Sequence, residues 1–217
     1  MKHAPLYDPP SGARAKIYQA AVRLFAETSG ADIALSDLAE AACIARGTIY
    51  NNIKEPENLF GEVATALAME MIARTEVAMR DFDDPIVRIA TGLRLFVRRA
   101  HEEQDWGRFL VRFGLSHSAL AAMMYGPPAR DIERAIADGR FKTDKSKAAS
   151  LINMLNGATL AAMNAVIRGD QTWRDAGSAT AELFLRAGGL SPAEARRIAN
   201  ADLPPLPAAP SPKRKKS

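Results

Sequence analysis

Apolar residues recur with helical period from the start of the chain. Ile17, Ala20, Ala21, Leu24 and Phe25 fall at i, i+3, i+4, i+7 and i+8, the stripe of an amphipathic helix. Leu38, Ala39 and Ala42 then make a short apolar face, which Ile44, Ile49 and Ile53 continue after a break. Helices this short are unstable alone, so the pattern predicts that both pack on the first. Ser36 is read as the N-cap of the second helix, with Glu40 behind it. From Pro56 to about Met79 one long helix is predicted, its stripe formed by Leu59, Val63, Ala64, Leu67, Ala68, Met71 and Ile72.

The pattern stays helical downstream. Asp84 before Pro85 marks a helix start, with Ile89, Leu93, Phe96 and Val97 inward and an end near His101. A helix over roughly Gln104 to Leu115 follows. Gly126-Pro127-Pro128 predicts a break, and a further helix covers Ala129 to Asp138. Helices are expected over 144–168, closed by Gly169, and over 172–187, ending at Gly188-Gly189. Ser191-Pro192 opens a last short one through Asn200. No strand pattern or internal repeat is present, so the expected class is all-α. The organisation read from the chain is a flexible arm over 1–12, a three-helix head over 13–55, a helical body over 56–203 and a disordered Pro-rich basic tail over 204–217.

The head turns Arg46, Thr48, Tyr50, Asn51 and Asn52 to solvent on its third helix, the build of a helix-turn-helix DNA reader. Here a resemblance enters. Gly47-Thr48-Ile49-Tyr50, then Ile53, Glu57 and Leu59, with the upstream stretch from Ala20 to Ala42, resemble the signature of the tetracycline-repressor (TetR) family. The chain departs from that pattern at four places: Cys43 stands for Gly, Ala45 for Ser, Ile53 for an aromatic and Pro56 for Lys. The resemblance implies an N-terminal head on a ligand-binding and dimerisation body. It implies double-stranded operator DNA as partner, read by Arg46, Thr48 and Asn51 at base edges. Ser36, Tyr50 and Lys54 would meet phosphates, and Gly47 would let the helix approach closely.

Composition narrows the reading. The chain has 217 residues, 47% of them hydrophobic, enough for a proper core. A single cysteine excludes an intrachain disulfide framework and points to a reducing cytoplasm. The first residues lack an apolar leader core, and no run of about 18 apolar residues is seen, so no membrane association is expected. The net charge of +4 equals the charge of Lys213, Arg214, Lys215 and Lys216, so the rest of the chain is neutral. Residues 1–60 hold six basic and seven acidic side chains. Placement of cations, with Arg14, Lys16, Arg46 and Lys54 on one side, must therefore carry any DNA affinity.

Small residues line the 144–168 and 172–187 helices, among them Gly157, Ala158, Ala161, Ala162 and Ala165. They suit either an internal helix pair or the homodimer interface that the family places there. Methionines and aromatics could line an apolar effector pocket for an unidentified, partly apolar small molecule. Its candidate residues are His101, Trp106, Phe109, Arg112, Met124, Asn153 and Asn156. Arg98-Arg99 is read as a solvated face, and Cys43 as a small hydrophobe. Three histidines and one cysteine offer no nucleophile–base pair, metal spacing or phosphate loop, so no enzyme, metal or cofactor is expected. The reading is a ligand-responsive, sequence-specific DNA-binding regulator, acting as a repressor released by its effector. The alternative is a helical small-molecule-binding or interaction protein with weakened or lost operator binding.

Overall fold

The stripe of the first helix is the floor of a small three-helix unit. In this computed structural model, which describes residues 9–27 and 33–208, α1 (Gly12–Glu27), α2 (Leu35–Ala41) and α3 (Arg46–Asn52) bury Ile17, Ala21, Phe25, Leu38, Ile49 and Ile53 together. Ser36 does not cap α2. The helix begins two residues earlier than that cap would place it, because Leu35 is drawn into the partly buried layer. Ala34 holds the cap position, and the Ser36 hydroxyl donates to Asp37 Oδ1 at 3.1 Å.

The turn after α2 is a Schellman closure, with Cys43 N–H on the Glu40 carbonyl (3.0 Å) and Ile44 N–H on that of Ala39 (3.1 Å). It places Cys43 in the left-handed region at φ 52° with its side chain exposed. Glycine holds this conformation freely, whereas a residue with a Cβ is strained by about 1 kcal/mol or more. Cys43 is thus no buried hydrophobe.

A 3₁₀ turn, Pro56–Asn58, leads into α4 (Leu59–Ala78), which runs from the head into the body. α5 (Pro85–Glu102) is capped by Asp84, whose carboxylate accepts from Ile86 N–H at 2.8 Å. It forms the axis of the body, packed by α6 (Gln104–Phe113), α7 (Ser118–Ala137), α8 (Ala148–Ile167), α9 (Trp173–Ala187) and α10 (Pro192–Ala199). The head is fastened through α1, which packs on α4 and α6. Phe25 meets Phe60 edge-on at 5.0 Å and Phe109 at 6.2 Å. Among the described residues all regular structure is helical.

Four expectations change in the body. α7 runs unbroken through Pro127 and Pro128, although a proline inside a helix removes a hydrogen bond and costs about 3 kcal/mol. Leu120, Met123 and Met124 before the prolines, and Ile132 and Ala135 after them, are all buried, and this packing holds one continuous element. Arg99 is not solvated: it is 2% exposed and ion-paired to Glu70 and Glu103.

The chain also stays on the body past residue 204. Leu203 and Leu206 pack partly on the core, and the Pro207 carbonyl accepts from Arg74 Nε at 2.7 Å. The docked segment extends at least to Ala208, and the cations at 213–216 lie outside the described residues. Finally, Lys145–Ile167 is long and apolar enough to cross a membrane, but half of its apolar window is buried inside the bundle. Its apolar composition reflects a helix with apolar neighbours on more than one side.

Candidate nucleic-acid interface and effector cavity

The period of α3 separates its two faces. Ile49 and Ile53 are buried against α1 and α2, whereas Arg46, Gly47, Tyr50, Asn51 and Lys54 are exposed and Thr48 and Asn52 half-buried. Tyr50 is 62% exposed, an unusual setting for so large a ring. The Asn52 amide is already used, donating to the Thr48 carbonyl at 2.8 Å. That leaves Arg46, Thr48, Tyr50 and Asn51 as the outward polar set. A Cβ built on Gly47 would meet nothing within 4 Å, so the fold itself has no need of glycine there. Ser36, near the start of α2, is half-buried.

Of the other basic groups expected on this side, Arg14 is engaged. It donates to Tyr18 Oη at 2.8 Å and to Glu62 at 2.9 Å, tying α1 to α4. Its hydrogen bond to Tyr18 raises the Arg14 pKa further. Lys16 lines a depression with Arg23, Ala41 and Asp105.

The body holds a partly open, mostly apolar cavity between α4, α5, α7 and α8. It offers about 60 Å³ to the centre of a water-sized sphere, several times the roughly 10–15 Å³ that one water needs. Ile72, Thr75 and Met79 contribute from the end of α4, Phe96 from α5, Met123 and Met124 from α7 and Leu155 from α8. Its polar lining is small. Thr75 and Thr159 spend their hydroxyl protons on their own helices, donating to the Met71 (2.9 Å) and Leu155 (2.7 Å) carbonyls. Arg88 and Asp131 face each other across one side at 3.1 Å. Burial pushes the Asp131 carboxyl above its ordinary range, and Arg88 only partly offsets this. Asn156 is 2% exposed, and its Nδ2 has no hydrogen-bond partner among the described residues.

Of the seven expected effector residues, the cavity takes in Met124 and Asn156. Trp106 is buried beneath the Arg99 guanidinium, 4.3 Å from its ring centroid, at the joint between head and body. Phe109 belongs to the Phe25–Phe60–Phe113 aromatic cluster. His101, Arg112 and Asn153 are exposed. Sequence reasoning missed Arg88 and Asp131. They lie 43 residues apart on helices whose pairing no local pattern reveals.

On the far side of α8 and α9 lies a shallow apolar groove lined by Met154, Ala158, Ala161, Ala165 and Leu183. Leu183 is 63% exposed and Met154 41%.

Comparison with known proteins places these features in a family. Residues 84–201 match the model for the tetracyclin repressor-like C-terminal domain. RolR in complex with its ligand resorcinol is 29% identical, covering 90% of this chain and 96% of that one with a TM-score of 0.60. RolR without ligand gives 28% identity and a TM-score of 0.59, over 89% of this chain and 100% of that one. The TetR family transcriptional regulator PfmR from Thermus thermophilus shares the fold at 20% identity, with a TM-score of 0.61 over 84% of this chain and 99% of its own. No curated protein matches the chain.

Proposed function

Because this chain belongs to the tetracycline-repressor family of transcriptional regulators, we propose that it is a homodimeric repressor released from operator DNA by a small molecule. The observation that carries this reading is the path of α4. Its first turn is clamped to the head through Phe60 and Phe25, and its last turns, with Ile72, Thr75 and Met79, are a wall of the cavity. A cavity of about 60 Å³ accepts more than a few waters only if its walls move, and close-packed interiors pass such strain along rigid elements. Occupancy thus tilts α4 and changes the separation of two α3 helices in a dimer. Release follows to the extent that the effector binds the displaced state better.

In this reading Arg46, Thr48 and Asn51 meet base edges, and Ser36, Tyr50 and Lys54 meet phosphates. The open space at Gly47 supports close approach of a partner, since no described residue lies within 4 Å of a Cβ there. Asn52, tied to its own helix, supports the α3 end. The exposed Met154, Leu183 and alanine groove supports dimerisation through α8 and α9. RolR's ligand supports an effector the size of one ring. The head at 13–55 and body at 56–203 are the working units of this mechanism.

Selecting preferred duplexes from random DNA and titrating them at two salt concentrations tests the reading. Arg46→Ala should relax preference at one position and cost roughly 1–3 kcal/mol, while Lys54→Ala should weaken all sequences alike. A protein that selects no sequence would instead be a helical ligand-binding protein without operator binding.

A further inference from the structure

Among the described residues, the cavity wall leaves one buried donor without a partner. The threonine hydroxyl protons are spent on backbone. Asn156 Nδ2 is buried and unpartnered, so an occupant with an acceptor there removes a desolvation penalty that the cavity wall carries. Asp131 and Arg88 are the charged residues of the described lining, one of each sign, so the wall is neutral overall.

Arg88 does more than neutralise Asp131. Its Nε donates to both Asp131 oxygens, at 3.1 and 3.2 Å, and its Nη1 donates to the Met79 carbonyl at 3.1 Å. Nη2 lies 4.0 Å from Glu76. Met79 is the C-cap of α4, and Glu76 is in its last turn. A single planar group therefore ties the cavity carboxylate on α7 to the end of the helix that carries the head.

We infer that the effector is a neutral, hydroxylated small molecule that accepts from Asn156 and donates to Asp131, and that Arg88 passes its arrival to α4. This rests on the effector-release reading above and deepens it. A hydroxyl fits both needs, since it donates one proton and accepts on its oxygen. A hydroxyl that donates to one Asp131 oxygen competes with Arg88 Nε, which is now shared between both oxygens, and weakens that hold. The guanidinium is then free to turn and release the Met79 carbonyl, loosening the last turn of α4. Arg88 is a positioning residue, and Asp131 and Asn156 are the binding groups.

Met79, Met123 and Met124 line the cavity, so protein carrying ¹³C-methyl methionine reports its occupancy directly. Benzene, phenol, resorcinol and benzoate are the probes. Resorcinol should bind roughly tenfold more tightly than benzene, as expected for one or two net hydrogen bonds, and benzoate more weakly than resorcinol. Benzene should shift all three methyls through its ring alone, whereas the hydroxylated rings should shift Met79 further as the end of α4 loosens. Asp131→Asn and Asn156→Leu should each remove most of the preference for resorcinol.

For the coupling, Arg88→Lys keeps the charge but cannot hold Asp131 and the Met79 carbonyl in one plane. It should still bind resorcinol, yet the probe should change its affinity for a selected operator less than about twofold. Arg88→Gln is the second variant, used if the lysine protein melts abnormally. Equal affinities for benzene and resorcinol, or tighter binding of benzoate, would overturn the inference and leave the effector-release reading standing. Wild-type release by both Arg88 variants would overturn the coupling. No methyl shift with any probe would sink both.

Discussion

The body contains two buried polar clusters, and they are finished differently. At the joint with the head, Glu70, Arg74, Arg99 and Glu103 form a closed set. Arg99 Nη2 reaches Glu70 and Glu103 at 2.9 Å each, and Arg74 Nη1 reaches the same two carboxylates at 2.9 and 3.1 Å. Trp106 lies against the Arg99 guanidinium, and the Pro207 carbonyl takes the Arg74 Nε. In the cavity of the body, Arg88 and Asp131 are paired, but among the described residues Asn156 is left with an unpaired donor. A closed network rigidifies its surroundings, whereas an open one keeps a cost that a ligand can remove. The first cluster fixes the joint, and the second keeps a buried donor open.

The largest effect should come from opening the closed cluster. Arg99→Ala leaves the buried Glu70 and the half-exposed Glu103 with one cation, and should destabilise the fold by about 3–5 kcal/mol in denaturant unfolding. Chain truncation probes the same cluster from outside. Ending the protein after Asp202 removes Leu203, Leu206 and the Pro207 carbonyl, and should cost about 1–3 kcal/mol through the orphaned Arg74 donor and lost apolar contact. Ending it after Ala208 should leave the melting temperature unchanged.

Asn156→Leu turns the comparison around. Replacing an unpaired buried amide by an apolar group of similar size should stabilise the ligand-free protein by about 1 kcal/mol, where any comparable change in the closed cluster destabilises. Loss of stability in this variant would mean that Asn156 is a satisfied structural group.

The smallest effect is a difference of sign with pH. Burial alone would raise the Glu103 pKa, but Arg99 and Arg74 outweigh it and hold the carboxyl below its ordinary range. Its contribution is present above the unfolded pKa and lost as pH falls through the lowered folded one. Asp131 is raised by burial, so its contribution is full below the unfolded pKa and lost as pH rises through the folded one. Unfolding measured across the acid range should therefore show Glu103→Gln with a shallower acid loss than wild type and Asp131→Asn with a steeper one. Equal slopes for the two variants would erase the distinction between the clusters.

Much of this was legible in the chain. Hydrophobic period located the helices, because burying a stripe is a local requirement that each helix meets on its own. Asp84 and Ser191 were readable as starts because a cap is a contact within one turn, and both accept a backbone N–H there. Ser36 misled because it lies one residue inside a helix whose start is set by burial of Leu35. Pro127-Pro128 misled for a related reason, since neighbours on three other helices outweighed a local preference to break.

What the sequence determined by itself is whatever depends on residues within a turn or two of each other: an all-helical chain, a short-helix head with a polar third helix, and the signature around Gly47-Thr48-Ile49-Tyr50. What only the tertiary structure decided is which polar residues end up together. Arg99 looks like half of a solvated pair until Glu70, 29 residues away, closes on it. Arg74 finds its carbonyl 133 residues downstream. Asn153 and Asn156 are alike in sequence and differ in fate, one exposed and the other sealed beside a cavity. The physical reason is that burial of apolar surface is summed along one helix, whereas pairing of a buried charge or amide depends on the distance to a group that the chain brings near only when it folds.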